Sequence, residues 1–561
     1  MVVEAAALLV ALAVAGGPVP LPLSLPVALV LTLLAVGRWG GRPVYRWLVD
    51  ALRFAGRTRT LPTGANPATL LDVVAGARVL AGEVDSAPTG VVADVDGLAA
   101  VLELTGPDTA LCEAPAPLPP LSALLPAATP GSPRVRVQLL VWAAAPVDGG
   151  LAGSSYRQLA EGRIAARQRT VLAVRACRDD RWTTDDLSRA LSGAVRRIRR
   201  RLAADRVSAR PLDPAATLAL IGELACHDAT EPVRENWAGL RAGGRYQACL
   251  STRRLPVGEL TGQAITRALT VPGSVVALSV TAGRDLDGVR ADLAVRLAAP
   301  KPGTLAAAVS TLIDTLTAVG CAPFVPDGAH LPGCAATLPL GRLRADAPRT
   351  DLAVLDAIRV PVGAGLMLGV NRRQEPVAVD VFRAAPTTVL LLGGLALAQA
   401  LVIRALALDV RVAVRTGRPD AWEPLRRRLD PAETFAVHPL HASPPDPASA
   451  LRPSLVVIDG APGVPVEPIA WQTVLLLRER VSTGDETSLV RADLVLAQPL
   501  PADQATLVGT ALGLGSARQW LSRARPDLLA LISRRAVRWV RLATTPVERQ
   551  LVGPLEREDP W

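Results

Sequence analysis

The chain opens on a block without charge. Residues 5–37 contain no Asp, Glu, Lys or Arg, and then Arg38, Arg42, Arg46, Arg53, Arg57 and Arg59 follow in quick succession. A bilayer's hydrocarbon core is about 30 Å thick and takes roughly 20 apolar residues per helical crossing. The block is long for one crossing and slightly short for two. It breaks at Gly16-Gly17-Pro18-Val19-Pro20, a turn signal. The pattern therefore predicts a transmembrane helical hairpin over 1–37, with arms at 2–15 and 19–36; a single spanning helix is the alternative. A secretory signal peptide fits poorly, because Glu4 is the only charged side chain ahead of the apolar run. Trp39, Tyr45, Trp47 and Phe54 interleave with the arginines. That mixture predicts a basic, aromatic juxtamembrane helix within 38–60, lying at the headgroup level on the cytoplasmic side. With two crossings, the rest of the chain is a cytoplasmic body.

Two regions of different pattern follow. In 61–345, residues 91–96 and 98–105 flank an Asp96-Gly97 turn and read as a hairpin. Residues 136–145 and 170–176 read as strands around a short helix near 156–165, and the proline-rich 115–133 as a loop. Thr183-x-x-Asp186 is a capping box. It opens a helix whose apolar stripe is Leu187, Leu191, Val195, Ile198 and Leu202. Its other face carries Arg196, Arg197, Arg199, Arg200 and Arg201, which reads either as a basic patch for lipid or an acidic partner, or as a solvated surface. A strand at 245–251, a helix at 259–269, strands at 274–281 and 289–298 and a helix at 304–319 give the order of a split βαβ unit. In 346–561 the strands are continuous apolar runs. Residues 387–392 lead through Gly393-Gly394 into a nearly all-apolar helix at 396–408 and a second strand at 410–415. Further strands are expected at 454–459, 473–477 and 493–497, with a helix at 503–512. Runs of this kind belong to a sheet buried on both faces. The expected fold class is thus membrane-anchored α/β: a transmembrane hairpin, a cytoplasmic α+β region and a doubly wound, Rossmann-like α/β domain.

Composition narrows the function. The chain has 561 residues and a formal net charge of +10, and Lys301 is its only lysine. The charge is partly juxtamembrane and otherwise scattered, so it is no nucleic-acid signature. The six cysteines show no CxxC spacing, which argues against a disulfide framework or a zinc site and for reduced, buried thiols.

The turn at Gly393-Gly394 stands where a doubly wound fold cradles a phosphate. GxGxxG is absent, and Arg415-Thr416 stands where a ribose-binding acid belongs. A P-loop needs Gly-Lys-Ser/Thr, and the lone lysine lies between Pro300 and Pro302. Asp459 has the look of a magnesium-binding acid but, without a P-loop, reads as a turn residue. His438 and His441 have Pro439 and no glutamate between them. Asp94-x-Asp96 and Asp285-x-Asp287 have a metal-motif form and sit at hairpin turns. No catalytic residue, cofactor or metal is assigned; Gly393, Gly394 and Asp459 are the candidates for a pocket.

The order of features resembles a known family. It is carried by Arg38-Trp-Gly-Gly-Arg-Pro-Val-Tyr-Arg-Trp-Leu48, Leu368-Gly-Val-Asn-Arg-Arg-Gln-Glu-Pro-Val377, Val389-Leu-Leu-Leu-Gly-Gly-Leu395, Arg404-Ala-Leu-Ala-Leu408 and Arg415-Thr-Gly-Arg-Pro-Asp-Ala-Trp422. These resemble EccE, a membrane component of the actinobacterial type VII (ESX) secretion system, with a likeness that runs from end to end and is concentrated in 1–60 and 365–425. The resemblance implies a non-enzymatic structural subunit in the inner membrane, with the bilayer, EccB, the ATPase EccC and EccD as partners. It supplies no catalytic residues. The competing class is a membrane-attached enzyme or sensor of glycosyltransferase-like fold. It would bind a nucleotide or nucleotide-sugar at Gly393-Gly394, with Asp459 or the Asp94/Asp96 pair on a metal.

Overall fold

The computed structural model describes residues 38–556, apart from 40–41, 63, 65, 75, 106–111, 114–117, 148, 162–163, 228–230, 361–363, 430–433, 443–447, 450, 461–466 and 534–535. The expected hairpin over 1–37 lies outside the described residues. Among those residues no helix is long and apolar enough to cross a membrane. The longest, Thr184–Ala204, has 21 residues but carries the arginine run, and the most apolar of the second region, Leu395–Ala407, has only 13. At about 1.5 Å per residue the latter falls well short of a bilayer core. The membrane-anchored class is corrected accordingly: the described residues form an α/β protein built on one antiparallel and one mixed sheet.

The first sheet is antiparallel throughout and has 14 strands. Its centre is the run Val275–Asp285, Val135–Ala144, Arg167–Cys177 and Gly97–Thr105, all with buried patterns. Helices Thr184–Ala204, Thr261–Leu269 and Pro302–Thr317 cover one face, around Leu187, Ile198, Ile265 and Leu312. Helices Pro214–Leu224 and His330–Ala336 cover the other, around Leu220, Leu224 and Leu338. The Thr183 capping box forms as read: its hydroxyl accepts the N–H of Asp186, and the Asp186 carboxylate accepts the N–H of Thr183. Leu187, Leu191, Val195, Ile198 and Leu202 are buried as the stripe predicts. Full burial of each contributes about 1.5–3 kcal/mol.

The second sheet has 11 strands, and the doubly wound expectation holds for only half of it. Phe435–Pro439, Arg411–Thr416, Ser454–Asp459, Gln472–Arg478, Thr387–Leu392 and Leu494–Ala497 lie side by side in that order, all parallel. Beyond Leu494–Ala497 the sheet turns antiparallel through Leu528–Ser533, Ala536–Leu542, Leu366–Val370, Pro376–Val379 and Cys112–Glu113. The order also departs from a Rossmann unit. Two strands separate Thr387–Leu392 from Arg411–Thr416, so the helix between them crosses over both neighbours.

Two pieces of the first sequence region join the second body. Cys112–Glu113 pairs with its edge strand, and helix Gly150–Ala160 packs on helix Leu395–Ala407. Tyr156 anchors that helix: its hydroxyl donates to Gly365 O at 2.6 Å and accepts from Met367 N at 3.3 Å.

Within the segment 38–60 the chain forms helix Val44–Ala55. Trp47 and Phe54 both pack on Trp237, with ring centroids 6.0 and 5.4 Å away. Arg57 fixes the exit of the helix through Glu235 at 2.6 Å and Gly328 O at 2.6 Å. Thr60–Leu61 then pairs with Val233–Asn236. The helix is thereby seated on the first body, and Leu48, Val49 and Leu52 stay exposed.

Candidate functional site

The carboxyl ends of the parallel strands are where an open α/β sheet binds ligands. Gly393, Gly394 and Asp459 all come to this rim. Arg478 ends the strand between them: Gly393 N donates to Arg478 O at 3.0 Å, and Arg478 Nη1 donates to Gly460 O at 2.8 Å.

Gly394 is the N-cap of helix Leu395–Ala407, and its N–H is one of the donors that a helix start offers a phosphate. That N–H instead donates to the side-chain oxygen of Gln498 at 2.7 Å. Gln498 is held from both ends. Its backbone N–H donates to Leu392 O at 2.9 Å, and its side-chain NH2 to Leu555 O at 2.7 Å. A Cβ on Gly393 would fall 2.5 Å from the Gln498 Oε1. Glycine is required here because the chain's own amide, rather than a ligand, lies against the turn. The Gln498 oxygen stands where a phosphate oxygen would be.

Asp459 is equally occupied. Its carboxylate accepts the Thr416 hydroxyl at 2.8 Å, the Trp422 indole N–H at 2.8 Å and two N–H groups of Arg418, at 2.9 Å from Nε and 2.8 Å from Nη2. Burial alone would raise its pKa, but the bonds from Arg418, Trp422 and Thr416 outweigh it and hold the group below the usual carboxylate range. Arg418 also reaches Glu479 at 2.8 Å, and Arg478 pairs with buried Asp485 at 2.8 Å. The rim is a set of arginine–carboxylate pairs with its acceptors used. Asp459 proves to be the centre of this network rather than a simple turn residue.

The other sequence candidates are placed apart from this rim. Asp94 bonds the buried Arg175 and pairs with Arg342 at 3.0 Å, and it also accepts the N–H of Asp96 within their hairpin turn. Asp285 closes the turn of its own hairpin opposite Gly288. His438 is exposed at the end of an edge strand. Among the described residues no group of three His, Cys, Asp or Glu is placed to hold a metal ion. Sequence reasoning missed Gln498, because nothing local marks a glutamine about a hundred positions after the turn it fills.

No curated protein matches. Two solved structures of the genome packaging NTPase B204 from Sulfolobus turreted icosahedral virus 2 overlay part of the chain. The complex with ATP-gammaS shows 10% identity over 28% of this chain and 98% of that one, with a TM-score of 0.21. The complex with AMP shows 11% identity over 29% and 99%, with a TM-score of 0.22. Likeness at that level carries no argument about this protein. Residues 163–251 match the EccE family model, described as a putative type VII ESX secretion system translocon. They hold strand Arg167–Cys177, helix Thr184–Ala204, helix Pro214–Leu224 and most of strand Arg245–Thr252, in the first body and outside the two regions that suggested the likeness from sequence. The resemblance of this chain to the EccE family, a component of type VII secretion, is shown by its residues 163–251.

Proposed function

We propose that the chain is a non-enzymatic structural subunit of the type VII (ESX) secretion membrane complex, supporting its assembly and stability beside EccB, the ATPase EccC and EccD. The match over residues 163–251 carries this reading. The bonds at Gly394 and Asp459 support its non-enzymatic half, because the Gly394 N–H and the Asp459 carboxylate, the two groups singled out for a nucleotide and its metal, are bonded within the chain. The body works at the membrane, on its cytoplasmic side. Five buried free cysteines suit a reducing compartment, and the arginines and aromatics of residues 38–59 suit an anionic leaflet.

The test is a pull-down of the tagged full chain from its native membranes in mild detergent. Co-purification of a large P-loop ATPase and a many-helix membrane protein is the expected result. Recovery of the chain without companions would overturn the reading.

A further inference from the structure

The first sheet ends on an open edge. Among the described residues, strand Arg78–Val84 is paired on one side only, with Ala87–Asp94. The two are joined by the two-residue turn Asp85-Ser86, with φ of 53° and 60°, the backbone of a type I′ hairpin. In such a hairpin the flanking pair Val84–Ala87 is hydrogen-bonded, and pairing alternates from there. Val79, Ala81 and Glu83 therefore aim their N–H and C=O groups away from the partner strand, into the open. The bond from Gly90 N to Leu212 O at 2.7 Å agrees: Gly90 is the partner of Ala81, and its N–H also points away from their shared ladder.

Beside this edge lies the arginine face of helix Thr184–Ala204. Arg196 and Arg199 both bond Asp85 of the hairpin turn, at 2.8 and 2.6 Å. Arg201 reaches Asp205 at 3.6 Å. Arg197 and Arg200 are exposed and make no ion pair among the described residues. On the flank toward the hairpin, Arg196, Arg199 and Arg200 thus face the one carboxylate of Asp85, while Arg197 and Arg201 turn to the other flank of the helix. Arg196, Arg199 and Arg200 line an open hollow of about 430 Å³ with Asp85, Val207 and Ser208. Leu80 and Arg78 share a sheet face with Val84, which packs in the core under this helix, and Leu80 is 42% exposed.

We propose that this edge and the adjoining arginine face form a docking surface for an extended, acidic segment of a partner protein. The segment adds a strand along Arg78–Val84 and directs its carboxylates at Arg200 and its neighbours Arg196 and Arg199. A lipid surface offers no backbone to pair with the open edge. A second copy added across the edge, about a two-fold axis normal to the sheet, sets the two arginine helices on one face with like charges together. The proposal stands on this geometry and does not rest on the secretion reading above.

The test uses the full chain in detergent and a fluorescein-labelled peptide alternating Glu with Val, followed by anisotropy. Ala81→Pro removes an N–H that the hairpin does not use, a change an edge strand tolerates. Arg200→Glu reverses a solvated charge of the hollow. Saturable binding is expected, weakened about tenfold or more, roughly 1.4 kcal/mol, by either variant. The same peptide with Lys for Glu is expected not to bind. Absence of binding overturns the proposal, and so does binding indifferent to Ala81→Pro, which would mark a merely basic surface. Displacement of the peptide by phosphatidylglycerol vesicles overturns it in favour of a lipid site. Concentration-dependent dimerisation abolished by Ala81→Pro overturns it in favour of a second copy.

Discussion

Replacing Arg404 with alanine is expected to destabilise the second body by about 3–5 kcal/mol, the range for removing one partner of a buried ion pair. Arg404 lies on the buried helix Leu395–Ala407, fully enclosed, and its guanidinium meets Glu548 in a two-pronged pair at 2.8 Å for both bonds. Its remaining donors reach Met367 O at 2.8 Å, Leu368 O at 3.1 Å and Ala543 O at 2.6 Å. One side chain thereby ties the central helix to the antiparallel extension of the sheet and to the final helix Pro546–Val552. Glu548 is also the return arm of that helix's capping box with Thr545. Alanine leaves a buried carboxylate and three carbonyls without these donors. The check is a denaturant melt. The double variant Arg404→Met with Glu548→Leu is expected to recover part of the loss, because it removes the stranded charge but not the stranded carbonyls. A change below about 1 kcal/mol in the single variant would show that the pair is not buried as described.

Acidification is expected to unseat helix Val44–Ala55 through His330. This side chain is buried beneath the hairpin that carries Trp237, and its Nδ1 accepts the backbone N–H of Cys249 at 3.3 Å. Burial, and then the nearby charge of Arg57, push its pKa down from 6.5 to about 4. The folded chain therefore holds the imidazole neutral, whereas the unfolded chain protonates it near 6.5. The unfolded state binds more protons between these values, so stability falls as the pH falls from about 6.5 toward 4 and is level above 6.5. The full loss is about 3 kcal/mol. It concentrates where Arg57, Glu235 and Trp237 hold helix Val44–Ala55, so amide exchange in that helix should rise first. His330→Gln is expected to flatten this part of the pH profile. An unchanged slope in that variant would remove His330 from the account.

Much of this architecture is legible in the sequence where burial is one-sided or complete. The apolar runs at Thr387–Leu392 and Ser454–Asp459 form strands because a parallel sheet buries both faces. The stripe from Leu187 to Leu202 forms a helix because its period matches the core. Strand Arg78–Val84 escapes the same reasoning, since an exposed edge need not alternate and here carries a glycine and two charges. The antiparallel half of the second sheet escapes it too, because periodicity does not report which strands pair. The short helix expected near 156–165 forms over Gly150–Ala160, where it packs against a helix from the far half of the chain. At the rim the sequence singles out Gly393, Gly394 and Asp459 but not what fills them. Gln498 is an ordinary residue locally, and Arg418 and Trp422, though within the run 415–422 that carries the resemblance, show their bonds to Asp459 only once the strands bring them together.

The central claim is that this rim is closed by the chain itself. Calorimetric titration of the full chain with ATP and with UDP-glucose, each with magnesium, tests it most directly. No saturable heat is predicted for either, since Gln498 already takes the Gly394 N–H and Arg418 the Asp459 carboxylate. Saturable binding that is lost in a Gly394→Ala variant would contradict the account and place a nucleotide at the turn.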